Sequence, residues 1–429
     1  MSDCVIIGGG ASGMMAAVYA AGKGAAVRLL EQNEKLGKKL YITGKGRCNL
    51  TNTAEPDEFM RHIMRNPRFC YAALSHLDSA GVMSLIEAQG VPVKVERGGR
   101  VFPVSDHASD VTKALERAML KHGVRVTLGA KVSSLELEEG RVTGVTLSNG
   151  QFIPAGTVIV ATGGQSYPST GSTGDGRVFA ERSGHRTKPP LPALVGIETV
   201  ESWPSALSGL TLKNVRLSAK NAKGKTIYDE QGELLMTHFG VSGPLALSLS
   251  SALAEQPEET PLSLDLKPAL SAETLDERIL RDIRAASRKQ ISSIMDGLEP
   301  HALGATILSL CGVSPALPAN ALTAEQRRRV LTAIKSLPLT VRRLRGLDEA
   351  VVTRGGIDVR DINPSTMMSK RVSGLFFAGE TIDIDALTGG FNLQLAFSTG
   401  ALAGESAANY LKAADGSAVR EEESEHERE

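Results

Sequence analysis

A short apolar run, Cys4-Val5-Ile6-Ile7, opens the chain and breaks at Gly8-Gly9-Gly10-Ala11-Ser12-Gly13. Small and apolar residues follow from Met14 to Gly22. A second apolar run, Ala26-Val27-Arg28-Leu29-Leu30, stops at Glu31. Unbroken apolar runs of this length predict strands buried on both faces, and the small-residue stretch between them predicts a closely packed helix. Downstream, residues 57–92 carry apolar positions at helical spacing around Leu74, Leu77, Val82, Leu85 and Ile86. Gly98-Gly99 to Pro103 reads as a turn and short strand. A helix is expected from near Asp110 to Lys121, with Ser105 as a cap before it and Gly123 ending it. Residues 124–128, 132–137, 142–147 and 158–161 then read as strands, with turns at Gly140 and Asn149-Gly150.

The pattern changes at the Pro-Pro-Leu-Pro of 189–192. Short alternating stretches such as Thr211–Leu217, with turns at Gly209, Lys223-Gly224 and Gln231-Gly232, predict a small β-barrel or sandwich. Ser242-Gly243-Pro244 opens an apolar helix to Leu253, and 273–336 is helical with one polar face. The first pattern returns near Val351. These shifts divide the chain into a first part over 1–188, an insert over 189–345 (β-rich to 268, helical from 269), a second part over 346–411 and a tail over 412–429. The tail is polar and is expected to be disordered.

The glycine turn has chemical meaning in this strand–turn–helix context. Gly8 permits the turn, Gly10 lets the backbone approach a pyrophosphate, and Gly13 lets the helix pack on the strand, so that its first amides face phosphates. Glu31 lies where a ribose hydroxyl needs an acceptor, and it would repel a phosphorylated ribose. Residues 36–52 then form a cationic, glycine-rich loop with Lys38, Lys39, Lys45 and Arg47. Near the other end, Gly374-Leu-Phe-Phe-Ala-Gly-Glu380 reads as a buried strand ending in a carboxylate, followed by Asp383 and Asp385. Thr388-Gly389-Gly390-Phe391-Asn392-Leu393-Gln394 then opens a small-residue helix. A carboxylate there can accept from ribityl hydroxyls, and the helix start can face a flavin pyrimidine, where negative charge collects on reduction.

These blocks resemble the HI0933-like flavoproteins, of the wider glutathione-reductase-like FAD class. The matching stretches are GGGASGMMAA (8–17), GKKLYITGKGRCNLTN (37–52), GGRVFPVSDHASDV (98–111), ATGGQSYPSTGSTGDG (161–176), GELLMTHFGVSGPLAL (232–247), VTRGGI (352–357) and GLFFAGETIDIDALTGGFNLQLAFSTG (374–400). The resemblance implies an α/β, Rossmann-like FAD-binding domain with an inserted β-barrel plus helical domain. By position it implies that Gly8, Gly10, Ala11, Ser12 and Gly13 serve the pyrophosphate, Glu31 with Gln32 the adenosine ribose, and Lys38 and Lys39 the adenine side. Gly46, Arg47 and Cys48 would lie nearer the flavin, and Val132 would meet adenine with its backbone. Thr162 and Gly163 on the returning strand, then Gly379, Glu380, Asp385, Gly390, Asn392 and Leu393, complete the implied set around the ribityl chain and ring. Three positions depart from the family pattern: Ala386 for glycine, Phe391 for tyrosine, Met368 for an acid.

Composition narrows the function. Lys plus Arg equals Asp plus Glu at 48 each, which argues against a nucleic-acid or anionic-membrane partner. No apolar run has membrane-spanning length, and no leader precedes the first strand, so a cytoplasmic location is expected. Cys4, Cys48, Cys70 and Cys311 are scattered, without the spacing of a redox pair or a metal site. Cys48, beside Arg47 and Asn49, is either an activated thiol or a packing residue; His238 is either a proton donor or structural; Tyr167 and Arg354 are further polar candidates. The expected activity is an FAD-dependent oxidoreductase. It would pass hydride from a transient NADH or NADPH to a small organic acceptor, an activated alkene by analogy with bile-acid-reducing relatives. An amine oxidase using oxygen is one alternative. Another is an FAD-containing protein that binds or modifies RNA, for which Arg327-Arg328-Arg329, Arg342, Arg343 and Arg345 supply a basic cluster on the insert.

Overall fold

The computed structural model describes residues 3–426, with side chains described as far as Ala414. Two compact units emerge: residues 1–192 with 347–429, and residues 193–346.

The first unit is built on a five-stranded parallel sheet in the order Leu375–Phe377, Thr157–Val160, Cys4–Ile7, Val27–Glu31, Arg125–Leu128. Its three middle strands are almost wholly buried, which explains their unbroken apolar sequences. Arg125–Leu128 is the exposed edge of this sheet, not part of the hairpin section. Val132–Glu138, Arg141–Leu147 and Phe152–Pro154 form the separate three-stranded meander. Glu139 and Gly140 both have positive φ, as a two-residue hairpin turn requires.

The first helix, Ala11–Gly22, packs along the C-terminal helix, Phe391–His426. Gly400 and Gly404 make that approach possible: a Cβ at either would stand 2.3 or 2.2 Å from the carbonyls of Ser12 or Ala16. Helix Ala108–Lys121 begins after His107, and Ser105 only accepts from the His107 N–H. The tail expected to be disordered is helical in its backbone to His426, because its Ala, Glu and Arg residues continue a helix readily. Residues 427–429 lie outside the described residues.

The second unit holds a closed six-stranded antiparallel barrel and six α-helices, two of them no longer than five residues. The barrel order is Ile197–Thr199, Gly240–Ser242, Thr226–Thr237, Thr211–Lys220, Pro261–Asp265, Leu337–Leu344. The closing strand, Leu337–Leu344, lies in the stretch expected to be helical. Its inward residues Leu337, Leu339 and Val341 alternate with outward ones, a strand period that follows helix Ala324–Lys335 without a marked break.

Candidate functional site

The two ends of the chain meet at the glycine turn. A Cβ on Gly379 would stand 2.5 Å from Ser12 Oγ, so the strand end 374–380 sits directly against the start of the first helix. Around this junction, Gly10 and Gly13 differ in kind. A Cβ on Gly13 would come within 1.8 Å of the Gly8 carbonyl, so protein packing alone demands glycine there. Gly10 has an ordinary φ of −82°, and no protein atom lies within 4 Å of where its Cβ would be. Neither torsion nor packing explains a glycine at position 10. Space for a group outside the chain does, and it lies before helix amides that have no intrahelical acceptor.

Glu31 ends its strand buried. Its Oε2 accepts from the Gly9 N–H at 2.6 Å, and its Oε1 accepts from the Asn33 N–H at 2.8 Å and Nδ2 at 2.7 Å. Three N–H donors fill three of about four acceptor directions, leaving one for a ribose hydroxyl. The segment leading to Val132 passes beside it: the Ala130 N–H donates to the Glu31 carbonyl and the Gly129 N–H to that of Asn33.

The cationic loop folds tightly. Gly44, Lys45, Gly46 and Cys48 all have φ near +57 to +87°, a conformation costly for Lys45 and Cys48. Lys39 Nζ reaches Ser166 Oγ at 2.6 Å and Glu380 Oε2 at 2.8 Å, so its charge is held by the carboxylate at the end of the 374–380 strand. Lys38 stays at the surface beside Glu34 and Asn33. The Arg47 guanidinium stacks on Phe102 at 4.0 Å and pairs with Glu96 and Asp106, so its charge is already engaged.

Cys48 is fully buried, and burial pushes its thiol up to about 12, only partly offset by the Thr43 hydroxyl. Of the two readings of Cys48, the packing residue holds and the activated thiol does not: the Arg47 charge points to its acids, and the Cys48 side chain packs. The other three cysteines are also free and buried. His238 lies exposed at the tip between Thr226–Thr237 and Gly240–Ser242, its ring edge-on to Phe239, and not at a strand-to-helix turn.

Glu380 Oε1 accepts from the Thr353 N–H at 2.7 Å and from Ser166 at 3.1 Å. Asp385 is buried and held by Arg354 at 3.0 and 2.8 Å, and the Asn392 amide clasps both backbone groups of Ala386. Both side chains thus organise the loop before the C-terminal helix. Leu393 is half-buried against the core at that helix start. Gly163 has positive φ, and its carbonyl accepts from Thr381. Thr162 Oγ1 is buried without a partner.

Several residues that hold this arrangement did not stand out in sequence. Thr51 Oγ1 donates to Gln394 at 2.6 Å, and Asn52 Nδ2 donates to the Gly98 and Gly389 carbonyls at 2.9 and 3.0 Å. The GRCNLTN segment thereby fastens the start of the C-terminal helix. Phe391 stacks on His62 at 4.3 Å and meets Phe59 edge-on, which fills the place of the expected tyrosine with apolar contact. Asn33, Ser166 and Thr353 lay inside or beside the motif blocks, but only the tertiary contacts show their partners.

Residues 2–406 match the HI0933-like protein Rossmann domain family. The chain belongs to that family. It is an FAD-dependent oxidoreductase, and Gly10 leaves open space before the first-helix amides, where a pyrophosphate would sit. A 3-dehydro-bile acid delta(4,6)-reductase of Clostridium scindens is 32% identical over 95% of this chain and 99% of its own length. Ribosomal RNA dihydrouridine synthases of Haemophilus influenzae and Escherichia coli are 31% and 30% identical, over 93% and 92% of this chain and 96% of each relative. A 3-ketosteroid delta1-dehydrogenase structure from Sterolibacterium denitrificans shares the fold, with a TM-score of 0.51 at 15% identity over 95% of this chain and 99% of that one. Among the described residues, no single helix is long and apolar enough to cross a membrane.

Proposed function

We propose that this HI0933-like protein reduces a carbon–carbon double bond conjugated to a carbonyl, with NADH or NADPH as a transient hydride donor. Hydride adds to the carbon β to the carbonyl and a proton to the α carbon, so the alkene gains two hydrogens and the nicotinamide is oxidised. The observation that carries this reading is the extent of the likeness to the bile-acid reductase. It covers 95% of the chain, and so runs through the insert as well as the cofactor unit. When bound, FAD supplies the two-electron relay between donor and acceptor. The chain's own part is to hold it: the first-helix amides for the pyrophosphate, Glu31 and Glu380 for the two sets of hydroxyls. The Phe391–Leu393 amides at the C-terminal helix start would stabilise negative charge on a bound flavin, an effect of about 1 kcal/mol.

A second acceptor has a specific observation in its favour. Two relatives of nearly equal identity are named for dihydrouridine in ribosomal RNA. Uracil carries a double bond conjugated to a ring carbonyl, so the same chemistry applies. On the insert, Arg327 pairs with Asp276, and Arg343 and Arg345 pair with Glu198, which removes part of the expected basic cluster. The small enone is therefore the first choice.

Anaerobic mixing with NADH or NADPH should bleach the flavin, and a 3-oxo-4,6-diene steroid should restore its colour. Restoration by unmodified ribosomal RNA, with dihydrouridine detected by mass spectrometry, would select the second acceptor. Bleaching by an amine and not by a nicotinamide would overturn both in favour of an oxidase.

A further inference from the structure

Residues 166–171 are tied at each end to one of the two carboxylates just described. At one end, Ser166 Oγ accepts from Lys39 at 2.6 Å and donates to Glu380 at 3.1 Å, and the Ser166 N–H donates to Thr353 Oγ1 at 2.9 Å. At the other end, the Gly171 carbonyl accepts from Gln32 Nε2 at 2.7 Å, and the Thr170 carbonyl accepts from Asn33 Nδ2 at 3.1 Å. The same Asn33 amide nitrogen donates to Glu31 Oε1 at 2.7 Å. One side chain therefore joins the segment to the ribose carboxylate.

Local geometry is shaped around this junction. Gly171 has φ +98°, and a Cβ there would stand 2.4 Å from Asn33 Nδ2. Between the anchored ends, Pro168–Thr170 is a single 3-10 turn, and Pro168 and Ser169 are exposed. So short a run can span at most about 20 Å, the scale of a dinucleotide and not of a domain. Its anchors are polar contacts, which open locally more easily than a packed core does.

We infer that residues 166–171 form a strap that closes over the bound dinucleotide, and that Asn33 is the positioning residue coupling it to Glu31. The inference rests on the FAD assignment. Closing the strap and aiming the Glu31 carboxylate become one event, because both use the Asn33 amide. The strap then governs how fast flavin leaves the holoenzyme.

The test uses FAD-loaded full-length protein, with flavin release followed by the rise in flavin fluorescence on dilution. Asn33→Ala should release FAD about tenfold faster, the size expected for one lost hydrogen bond to a charged group. Gln32→Ala, which removes the anchor on the Gly171 carbonyl, should also release faster and, without FAD, be cleaved faster between Tyr167 and Gly171. Limited proteolysis between Tyr167 and Gly171 should slow when FAD is added. A wild-type release rate in Gln32→Ala would overturn the strap, even if Asn33→Ala is fast. A wild-type rate in Asn33→Ala would overturn its positioning role. A wild-type chain that retains no FAD at all would instead reject the cofactor assignment.

Discussion

Lys39 and Glu380 stand 341 residues apart in the chain and 2.8 Å apart in space. Burial alone would raise the Glu380 carboxyl. The Lys39 charge and hydrogen bond, with the Thr353 N–H and the Ser166 hydroxyl, bring it below its ordinary value. A carboxyl lowered on folding adds stability that is present above its unfolded pKa and lost as pH falls through its folded pKa.

Lys39→Met should therefore destabilise the protein by about 2 kcal/mol at neutral pH, the worth of a hydrogen bond to a charged group. The deficit should shrink as pH falls through the folded pKa of Glu380, where the protonated carboxyl no longer gains from the Lys39 charge. Denaturant titrations at several pH values check both. A deficit of the same size at every pH would mean that the pair does not set it.

The two glycines of the turn should separate folding from cofactor binding. Gly13→Ala drives a Cβ to within 1.8 Å of the Gly8 carbonyl and should prevent normal folding. Gly10→Ala meets no protein atom and has an allowed φ, so it should fold with a thermal midpoint close to wild type yet bind FAD weakly. Circular dichroism and flavin titration of the two variants give the comparison.

The thiols should be silent. All four cysteines are buried, and burial holds the Cys48 thiol at about 12 and that of Cys70 at about 12. Iodoacetamide at neutral pH should label none of them in the folded protein and all four after denaturation. Rapid labelling of Cys48 in the native state would contradict the packing described here.

The Arg354–Asp385 pair should be costly to break. Burial raises the Asp385 carboxyl, and the Arg354 guanidinium offsets this only in part. Asp385→Ala leaves the buried Arg354 charge without this partner and should cost about 3–5 kcal/mol. The loop before the C-terminal helix should loosen with it, since the Arg354 guanidinium no longer holds the side chain at 385. Denaturant midpoints and hydrogen exchange at residues 383–393 report the two effects.

Local signals made part of this readable in advance. The parallel strands announced themselves as unbroken apolar runs because both faces of each are covered. The glycine turn was legible because its spacing serves a local geometry. The closing barrel strand, Leu337–Leu344, was missed because it follows a helix directly and pairs with strands far away in sequence. Cys48 stayed open between an activated thiol and a packing residue because its sequence neighbours, Arg47 and Asn49, allowed an electropositive site. In space Arg47 turns to Glu96 and Asp106, and the sulfur is left in the core.

By itself, the order of residues determined the βαβ unit and the family, since each depends on contacts within a few tens of residues or on short motifs. Only the folded chain decided that Lys39 meets Glu380, that Asp385 belongs to Arg354, and that Asn33 reaches Thr170. Those pairings depend on where a five-stranded sheet and two long helices bring distant segments. A charged side chain takes the partner that tertiary packing puts within 3 Å or so, whatever its sequence neighbours suggest.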